Sequence, residues 1–226
     1  MTDIRFLGHA CFELTEGDVN VLIDPFLSGN PKAAVAADDV DPTHIFLTHG
    51  HADHIGDTVD IARRTGCEVV AIIELAQEIT GAHDKTKDPN LGGTVEYDWG
   101  WVKLVPAWHT STTPSGTVNT PAGLVVEIGG KTIYHLGDTA LFSDLQLIQR
   151  RHPLDLALVP IGGHYTMDRY DAVTACEFIG ANRVIPCHYD TFPPIETDAE
   201  AFKHDVDTST ASEVLILAPG ESHTIE

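Results

Sequence analysis

The chain has 226 residues, 42% of them hydrophobic, and 34 Asp or Glu against 13 Lys or Arg, which gives a formal net charge of −21. This length and apolar content can build a sizeable core, so we expect one domain over residues 1–226. The acidity disfavours nucleic acid and anionic membranes as partners, and the lack of a ~20-residue apolar run or a signal-peptide-like start predicts a cytoplasmic protein.

Apolar runs rich in Val, Ile and Leu, separated by Gly and Asp turns, predict strands along the first half of the chain. The expected strands cover residues 4–7, 11–14, 19–23, 43–48, 68–73, 94–97 and 102–107. Two helices are predicted at 57–65 and 74–80, each ended by a glycine. Residues 82–93 are polar and contain glycines, so we expect a loop there.

The second half repeats this layout without repeating the residues. Strands are expected at 124–128, 131–135, 155–161, 183–187 and 213–217, and helices at 141–151, 170–179 and 199–206. Gly129-Gly130 is typical of a hairpin turn, and Asp168 is a candidate N-cap for the helix over 170–179. Strands that arrive in runs, with helices between and after them, predict an α+β fold of two packed sheets with helices outside.

The motif Thr48-His49-Gly50-His51-Ala52-Asp53-His54 places three His and one Asp directly after a predicted strand. Imidazole and carboxylate groups are the preferred ligands of zinc and similar divalent ions. If the backbone stays extended, His49, His51 and Asp53 point to one side. His54 then points elsewhere and could serve a second ion, so the motif predicts a metal site.

Three further strands end in potential ligands. His109 follows the strand at 102–107, Asp138 follows 131–135, and His188 follows 183–187. A single His after a strand is seldom a ligand, but these three together with the motif would complete a two-metal site. We therefore expect four strand ends to converge at one edge of a sheet layer and form a concave polar site.

Three more residues are candidates for orienting ligands or contacting substrate. Asp24 ends the strand at 19–23 and could accept the free N–H of a ligand imidazole, or form an Asx turn before Pro25. His9 follows the first strand and could face the site. His164 follows two glycines and could donate a proton to a leaving group or bind a substrate anion.

The remaining His, Cys and Trp residues are expected to be structural. The four cysteines are not spaced as metal pairs and should be buried small hydrophobes. The tryptophans should lie in the core or a pocket wall: Trp99, Trp101 and Trp108. His135 should pack inside, and the surface histidines should be His44, His83, His152, His204 and His223.

The pattern T-H-x-H-x-D-H, followed by a later His, then Leu136-Gly137-Asp138-Thr139 and a late Cys187-His188, resembles the metallo-β-lactamase superfamily. The likeness runs from Ile4 to about His188. The segments around Leu7-Gly8-His9-Ala10 and Leu22-Ile23-Asp24-Pro25 resemble a branch of small metal-dependent hydrolases related to ascorbate-6-phosphate lactonase and RNase Z. The resemblance implies a four-layer αββα sandwich.

The resemblance also implies a ligand set. By motif, His49, His51 and His109 would hold one metal, and Asp53, His54 and His188 would hold the other, with Asp138 bridging. Zinc is the first expectation, with manganese or iron as alternatives. His51 stands where the oxygen-reducing di-iron branch has Glu, which favours hydrolysis over redox chemistry.

Two adjacent divalent ions lower the pKa of bound water and provide hydroxide at neutral pH. The expected reaction is attack on an ester, lactone or phosphoester, with Asp53 orienting the hydroxide and accepting its proton. Because the ions would make the site locally positive, a small anionic substrate is expected. The alternatives are an RNase Z-like nuclease, which the absence of a basic patch disfavours, and a non-catalytic metal-binding protein. A homo-oligomer is compatible with the sequence.

Overall fold

The computed structural model describes residues 1–226. Two mixed sheets of seven strands pack against each other, and helices cover their outer faces. This is the expected four-layer αββα sandwich. No helix of the chain combines the length and the apolarity that crossing a membrane requires. That residues 1–226 form a single domain stays a prediction.

Fourteen strands and six helices make up the four layers. In chain order the strands are β1 (Thr2–Gly8), β2 (Cys11–Glu16), β3 (Val19–Ile23), β4 (His44–Phe46), β5 (Glu68–Val70), β6 (Thr86–Lys87), β7 (Thr94–Tyr97), β8 (Gly100–Pro106), β9 (Ala122–Ile128), β10 (Lys131–His135), β11 (Leu156–Pro160), β12 (Arg183–Cys187), β13 (Glu213–Val214) and β14 (Ser222–Ile225). The helices are α1 (Ala52–Ile55), α2 (Thr58–Thr65), α3 (Ile73–Thr80), α4 (Gln146–Arg151), α5 (Arg169–Ile179) and α6 (Ala199–Ser209).

The first sheet has the order β14-β1-β2-β3-β4-β5-β6, and the second has the order β13-β12-β11-β10-β9-β8-β7. Alternate residues of a central strand such as β11 explain why the second sheet is covered on both faces. Leu156 and Leu158 belong to the core between the sheets. Ala157 and Val159 belong to a separate core beneath α5 and α6. Because successive strand residues point to opposite faces, an unbroken apolar run is what a sheet buried on both sides requires.

The sequence-based expectations were wrong mainly at short or edge elements. Residues 82–93 were expected to be a loop but contain β6, and the last predicted strand, 213–217, is a strand only over β13. β14 was not predicted at all. It pairs antiparallel with β1, yet only Ile225 of its four residues is buried. Backbone hydrogen bonds hold such edge strands, so the hydrophobic pattern does not reveal them.

Two side chains also depart from expectation. His83 was expected on the surface but is buried, with Nε2 2.7 Å from the carbonyl oxygen of Cys67. Trp108 was expected in the core or a pocket wall but is 68% exposed.

Strand direction brings the candidate site residues to one edge of the sandwich. In the first sheet β1 and β3 both run antiparallel to β2, and β4 is parallel to β3. In the second sheet β8 and β10 both run antiparallel to β9, and β12 runs the same way as β10 through β11. Both sheets therefore contribute candidate ligands, where a single sheet layer was expected. Six of these strands are each followed, within three residues, by a candidate site residue. Strands β1, β3, β4, β8, β10 and β12 are followed by His9, Asp24, His49, His109, Asp138 and His188, respectively.

The turn after α1 generates a stability prediction. Gly56 ends α1 with φ 37° and ψ −123°, and a Cβ there would lie 2.3 Å from the Pro25 carbonyl oxygen. We expect Gly56→Ala to lower the free energy of unfolding by roughly 3 kcal/mol, measured by urea titration. The matched control is Gly17→Ala, at φ 57° with nothing within 4 Å of the added Cβ, which should cost only about 1 kcal/mol. Equal losses in the two variants would contradict this account.

Candidate metal centre

The motif after β4 does not continue as an extended chain. His51 has φ −63° and ψ 152°, and α1 begins at the next residue. The backbone N–H groups of His54 and Ile55 both donate to the His51 carbonyl oxygen, at 3.0 and 2.9 Å. The expectation that His49, His51 and Asp53 share one side of an extended strand is therefore wrong, because a helical turn separates Asp53 from the two histidines.

This turn sorts the potential ligands into two groups. One group consists of His49, His51, His109 and Asp138, and the other of His9, Asp53, His54 and His188. Within each group the candidate ligand atoms all lie within 4.8 Å of one another. Apart from the added His9, this grouping matches the ligand sets that the resemblance implied.

Asp138 lies between the two groups. Its Oδ1 is 3.3 Å from His54 Nε2, and its Oδ2 is 3.2 Å from His188 Nε2. The same Oδ2 is 3.5 Å from His109 Nε2 and 3.9 Å from His49 Nε2. One buried carboxylate thus faces imidazoles of both groups.

Asp24 orients one ligand in each group. Its fully buried carboxylate accepts from the backbone N–H of Thr48 at 2.8 Å, from the Thr48 hydroxyl at 2.6 Å and from His54 Nδ1 at 2.7 Å. Because the Thr48 hydroxyl donates to Asp24, its oxygen accepts from His49 Nδ1 at 3.0 Å. Both imidazoles therefore present an Nε2 lone pair to the site. The side chain of Asp24 makes this contact rather than the alternative Asx turn.

The glycine of the motif is fixed by the loop that follows His109. The N–H of Gly50 donates to Ser111 Oγ at 2.9 Å and to Asn119 Oδ1 at 3.1 Å. A Cβ at Gly50 would lie 2.6 Å from Asn119 Nδ2. The sequence analysis did not identify Ser111 and Asn119, and no spacing pattern would have indicated their contact with Gly50.

Thr139 fixes the His109 segment to the Asp138 turn. Its hydroxyl accepts from the backbone N–H of Trp108 at 2.9 Å, and the N–H of Ala140 donates to the Trp108 carbonyl oxygen at 3.0 Å. One side-chain and one backbone hydrogen bond therefore hold together the two turns that carry His109 and Asp138.

His9 and His188 meet across the two sheets in left-handed backbone conformations, with φ 60° and 53°. The N–H of His188 donates to the His9 carbonyl oxygen at 2.7 Å. His9 Nδ1 lies 2.9 Å from Thr191 Oγ1, and His9 Nε2 lies 3.2 Å from Asp53 Oδ2. Left-handed φ is strained for such residues, and strain of this kind concentrates at functional sites.

Burial and charge shift the titration of the cluster in opposite directions. Burial lowers the pKa of His9 to about 4 and holds that of His49 well below its usual value. Burial also acts against a charge on His54, but the carboxylates of Asp138 and Asp24 outweigh it and raise the pKa of His54. Burial would raise the pKa of Asp138, yet the neighbouring imidazoles hold it well below its usual value. The space between these carboxylates favours a positive charge.

Unpartnered polar atoms test whether a metal fits this site. His54 Nε2, Asp138 Oδ1 and both ring nitrogens of His188 are buried, and although His54 and His188 lie close to Asp138, none of these atoms makes a hydrogen bond of acceptable geometry. Leaving such groups unpaired costs free energy, so atoms of this kind normally have a ligand. Imidazole nitrogen and carboxylate oxygen are the donors that zinc and related ions take. The residues fit divalent metal ions.

A cavity of about 520 Å³ opens over the cluster. Its floor includes His51, Asp53, His109, Asp138 and His188, and its wall includes Phe26, Ala52, Thr110, Tyr165, Phe192 and Pro194. Asp53 has a third of its side chain exposed to this space. The ligand cluster is therefore accessible to a small molecule.

His164 does not line the cavity. It lies on the exposed turn after β11, with φ 52°, and its neighbour Tyr165 is the residue of this turn that reaches the cavity. The expected role of His164 as a proton donor stays a prediction.

The αββα sandwich and the His/Asp groups at its edge define a metallohydrolase of the metallo-β-lactamase type. A family model described as the beta-lactamase superfamily domain matches residues 3–188. The chain belongs to this superfamily and is a metal-dependent hydrolase within it.

Relatives described as metal-dependent hydrolases are similar to this chain over most of its length. The UPF0173 metal-dependent hydrolase of Thermus thermophilus is 49% identical over 203 residues, 89% of this chain and 90% of that protein. That of Thermococcus kodakarensis is 46% identical and covers 98% of both chains. The solved structure of Igni18, a metallo hydrolase from Ignicoccus hospitalis, is 33% identical with a TM-score of 0.92, covering 100% of this chain and 98% of that one.

The contacts of Asp24 generate a prediction. We expect Asp24→Asn to weaken zinc binding by about 10–100-fold, because an amide cannot accept from Thr48 and His54 together at the same oxygens. Chelator competition measures the affinity. The matched control is Asp155→Asn, a half-buried carboxylate that accepts from the Thr132 N–H at 2.9 Å at the opposite end of the strands. Equal loss of affinity in both variants, or none in Asp24→Asn, would contradict the orienting role.

Proposed function

We propose that this metal-dependent hydrolase uses two divalent metal ions, zinc first among them, to hydrolyse an ester, lactone or phosphoester of a small molecule. The observation that carries the proposal is the position of Asp138. Its two carboxylate oxygens face imidazoles of both ligand groups, at 3.2–3.5 Å for the nearest three. A carboxylate shared in this way is what a pair of adjacent ions requires.

Each of the two groups would hold one ion. His49, His51 and His109 would hold one, and Asp53, His54 and His188 would hold the other. His9 lies with the second group and contacts Asp53, so it holds that carboxylate in position. Manganese and iron accept the same nitrogen and oxygen donors, and availability would decide among the metals.

When bound, the ions supply an activated water at neutral pH and polarise the oxygen that gains charge. Asp53 is the carboxylate placed to act with that water, because it lies on the cavity floor and remains partly exposed. Its Oδ2 accepts from His9 Nε2 at 3.2 Å, and this contact orients the carboxylate that would hold a metal and act as the general base. His51 and His109 keep the substrate side of the centre open to the cavity.

An RNase Z-like nuclease is the first alternative. No Lys or Arg lines the cavity, and the chain carries a net charge of −21. A site that binds RNA needs cations along the path of the phosphate backbone. This favours a small-molecule substrate, and incubation of the zinc-loaded protein with a precursor tRNA distinguishes the two.

A metal-binding protein without turnover is the second alternative. Structural metal sites are closed by protein ligands, whereas catalytic sites keep an open position. The cavity above His51, Asp53 and His109 supports a catalytic site.

We place the activity in the cytoplasm, since the four cysteines are buried free thiols. The possible homo-oligomer stays a prediction.

Metal removal and return test the proposal. The chelator-treated protein should lose hydrolysis of an ester, lactone and phosphodiester panel, and activity should return as zinc approaches two equivalents. His51→Ala should bind about one equivalent less and lose at least about 100-fold in kcat/KM.

The matched control is His204→Ala, which removes an exposed histidine on α6 and should match the wild type in both measurements. Full activity at one equivalent would contradict the two-ion proposal. Two bound equivalents with no turnover of any panel member would support the non-catalytic alternative.

A further inference from the structure

The wall of the cavity is mostly apolar. Phe26, Phe192 and Pro194 line it, and Tyr165 lies at the rim with 54% of its surface exposed. A volume of about 520 Å³ falls in the range of small-molecule sites. A molecule that reaches the cluster therefore lies against aromatic surface.

The two phenyl rings are held by the same turns that position the metal ligands. Phe26 follows Asp24 by two residues, and its N–H donates to the Asp24 carbonyl oxygen at 2.8 Å. Phe192 follows Thr191, whose hydroxyl contacts His9. The ring centroids lie 6.4 Å apart, and each ring meets the His9 imidazole edge-on at 5.8 and 5.7 Å. The rings are thus fixed in place before a ligand arrives.

The charge of the lining separates neutral from anionic substrates. The only acidic side chains in it are Asp53 and Asp138, both assigned to the metals, and it contains no Lys or Arg. A phosphate or carboxylate remote from the reacting bond would meet phenyl rings, in a protein of net charge −21. Transfer of an unpaired charge onto such a surface is costly. The charge of the ions alone predicts an anion, but the cavity wall does not support one.

We propose that Phe26 and Phe192 select an uncharged carboxylic ester or lactone that carries an aryl or alkyl group. This inference rests on the proposed function, which supplies the hydrolytic step. Water adds its oxygen to the acyl carbon, the ester C–O bond breaks, and the proton of the water passes to the released alkoxide. The products are a carboxylic acid and an alcohol, and nothing is oxidised or reduced.

Four esters test the proposal with the zinc-loaded protein: methyl acetate, methyl phenylacetate, benzyl acetate and the monomethyl succinate anion. At least one of the two ring-bearing esters should exceed methyl acetate and the succinate anion in kcat/KM. Phe26→Ala and Phe192→Ala should each reduce the ratio of ring-bearing ester to methyl acetate by about tenfold. The ratio removes any general loss of activity.

Two further sets of variants keep the test independent of folding. Phe26→Leu and Phe192→Leu retain apolar volume and should keep most of the selectivity. Tyr170→Ala removes an aromatic ring that is 63% exposed and outside the cavity, so its ratio should equal that of the wild type. An unchanged ratio in both Phe→Ala variants, or a preference for the succinate anion, overturns the proposal.

A binding measurement separates this inference from the proposed function. Fluorine NMR of 4-fluorophenylacetamide should show line broadening with the zinc-loaded wild type that is lost in both Phe→Ala variants. Ring binding without hydrolysis of any ester, lactone or phosphodiester of the panel would refute the proposed function and leave the ligand class standing. Hydrolysis without ring binding or ring selectivity would refute the inference alone, and absence of both would refute the two together.

Discussion

The buried carboxylate of Asp24 holds the centre together. It is fully enclosed and accepts three hydrogen bonds, two from Thr48 and one from His54. A buried charge is tolerated only when its oxygens are satisfied in this way. The same bonds fix the rotation of His54 and, through the Thr48 hydroxyl, of His49. The Asp24 side chain thus orients one candidate ligand in each of the two groups.

The surrounding electrostatics follow from this arrangement. Asp53 and Asp138 lie near Asp24 at the same edge of the sandwich, and the pKa values of both are held below the usual range by neighbouring imidazoles. Several carboxylates gathered in one place repel each other unless positive charge lies between them. Burial holds the pKa of His49 well below its usual value, whereas the carboxylates of Asp138 and Asp24 raise the pKa of His54. A cluster of this composition is suited to cations.

The sequence predicted which candidate ligands come together, because their segments follow apolar strands and lie in polar turns. That they bind metal stays a prediction. The sequence also predicted the two-sheet architecture, because strands such as β11 are apolar on both faces. The helical turn after His51 was not predictable, because its residues carry no periodic pattern over four positions. Contacts such as His9 with Thr191, 182 residues apart, depend on the packing of two sheets. Neither spacing nor composition encodes them.

The turns that bring the candidate ligands together also carry the aromatic residues to which we assign substrate selection. Phe26 is two residues beyond Asp24, Phe192 is four beyond His188, and Tyr165 follows the left-handed His164. Turns tolerate changes that strands do not, because their side chains are not interlocked with a core on both faces. An exchanged ring would alter the cavity wall while the hydrogen bonds of Asp24 and the position of Asp138 stay as they are. If the two proposals hold, the chemistry of the centre and the choice of substrate would be separable in this fold, although the same short segments supply both.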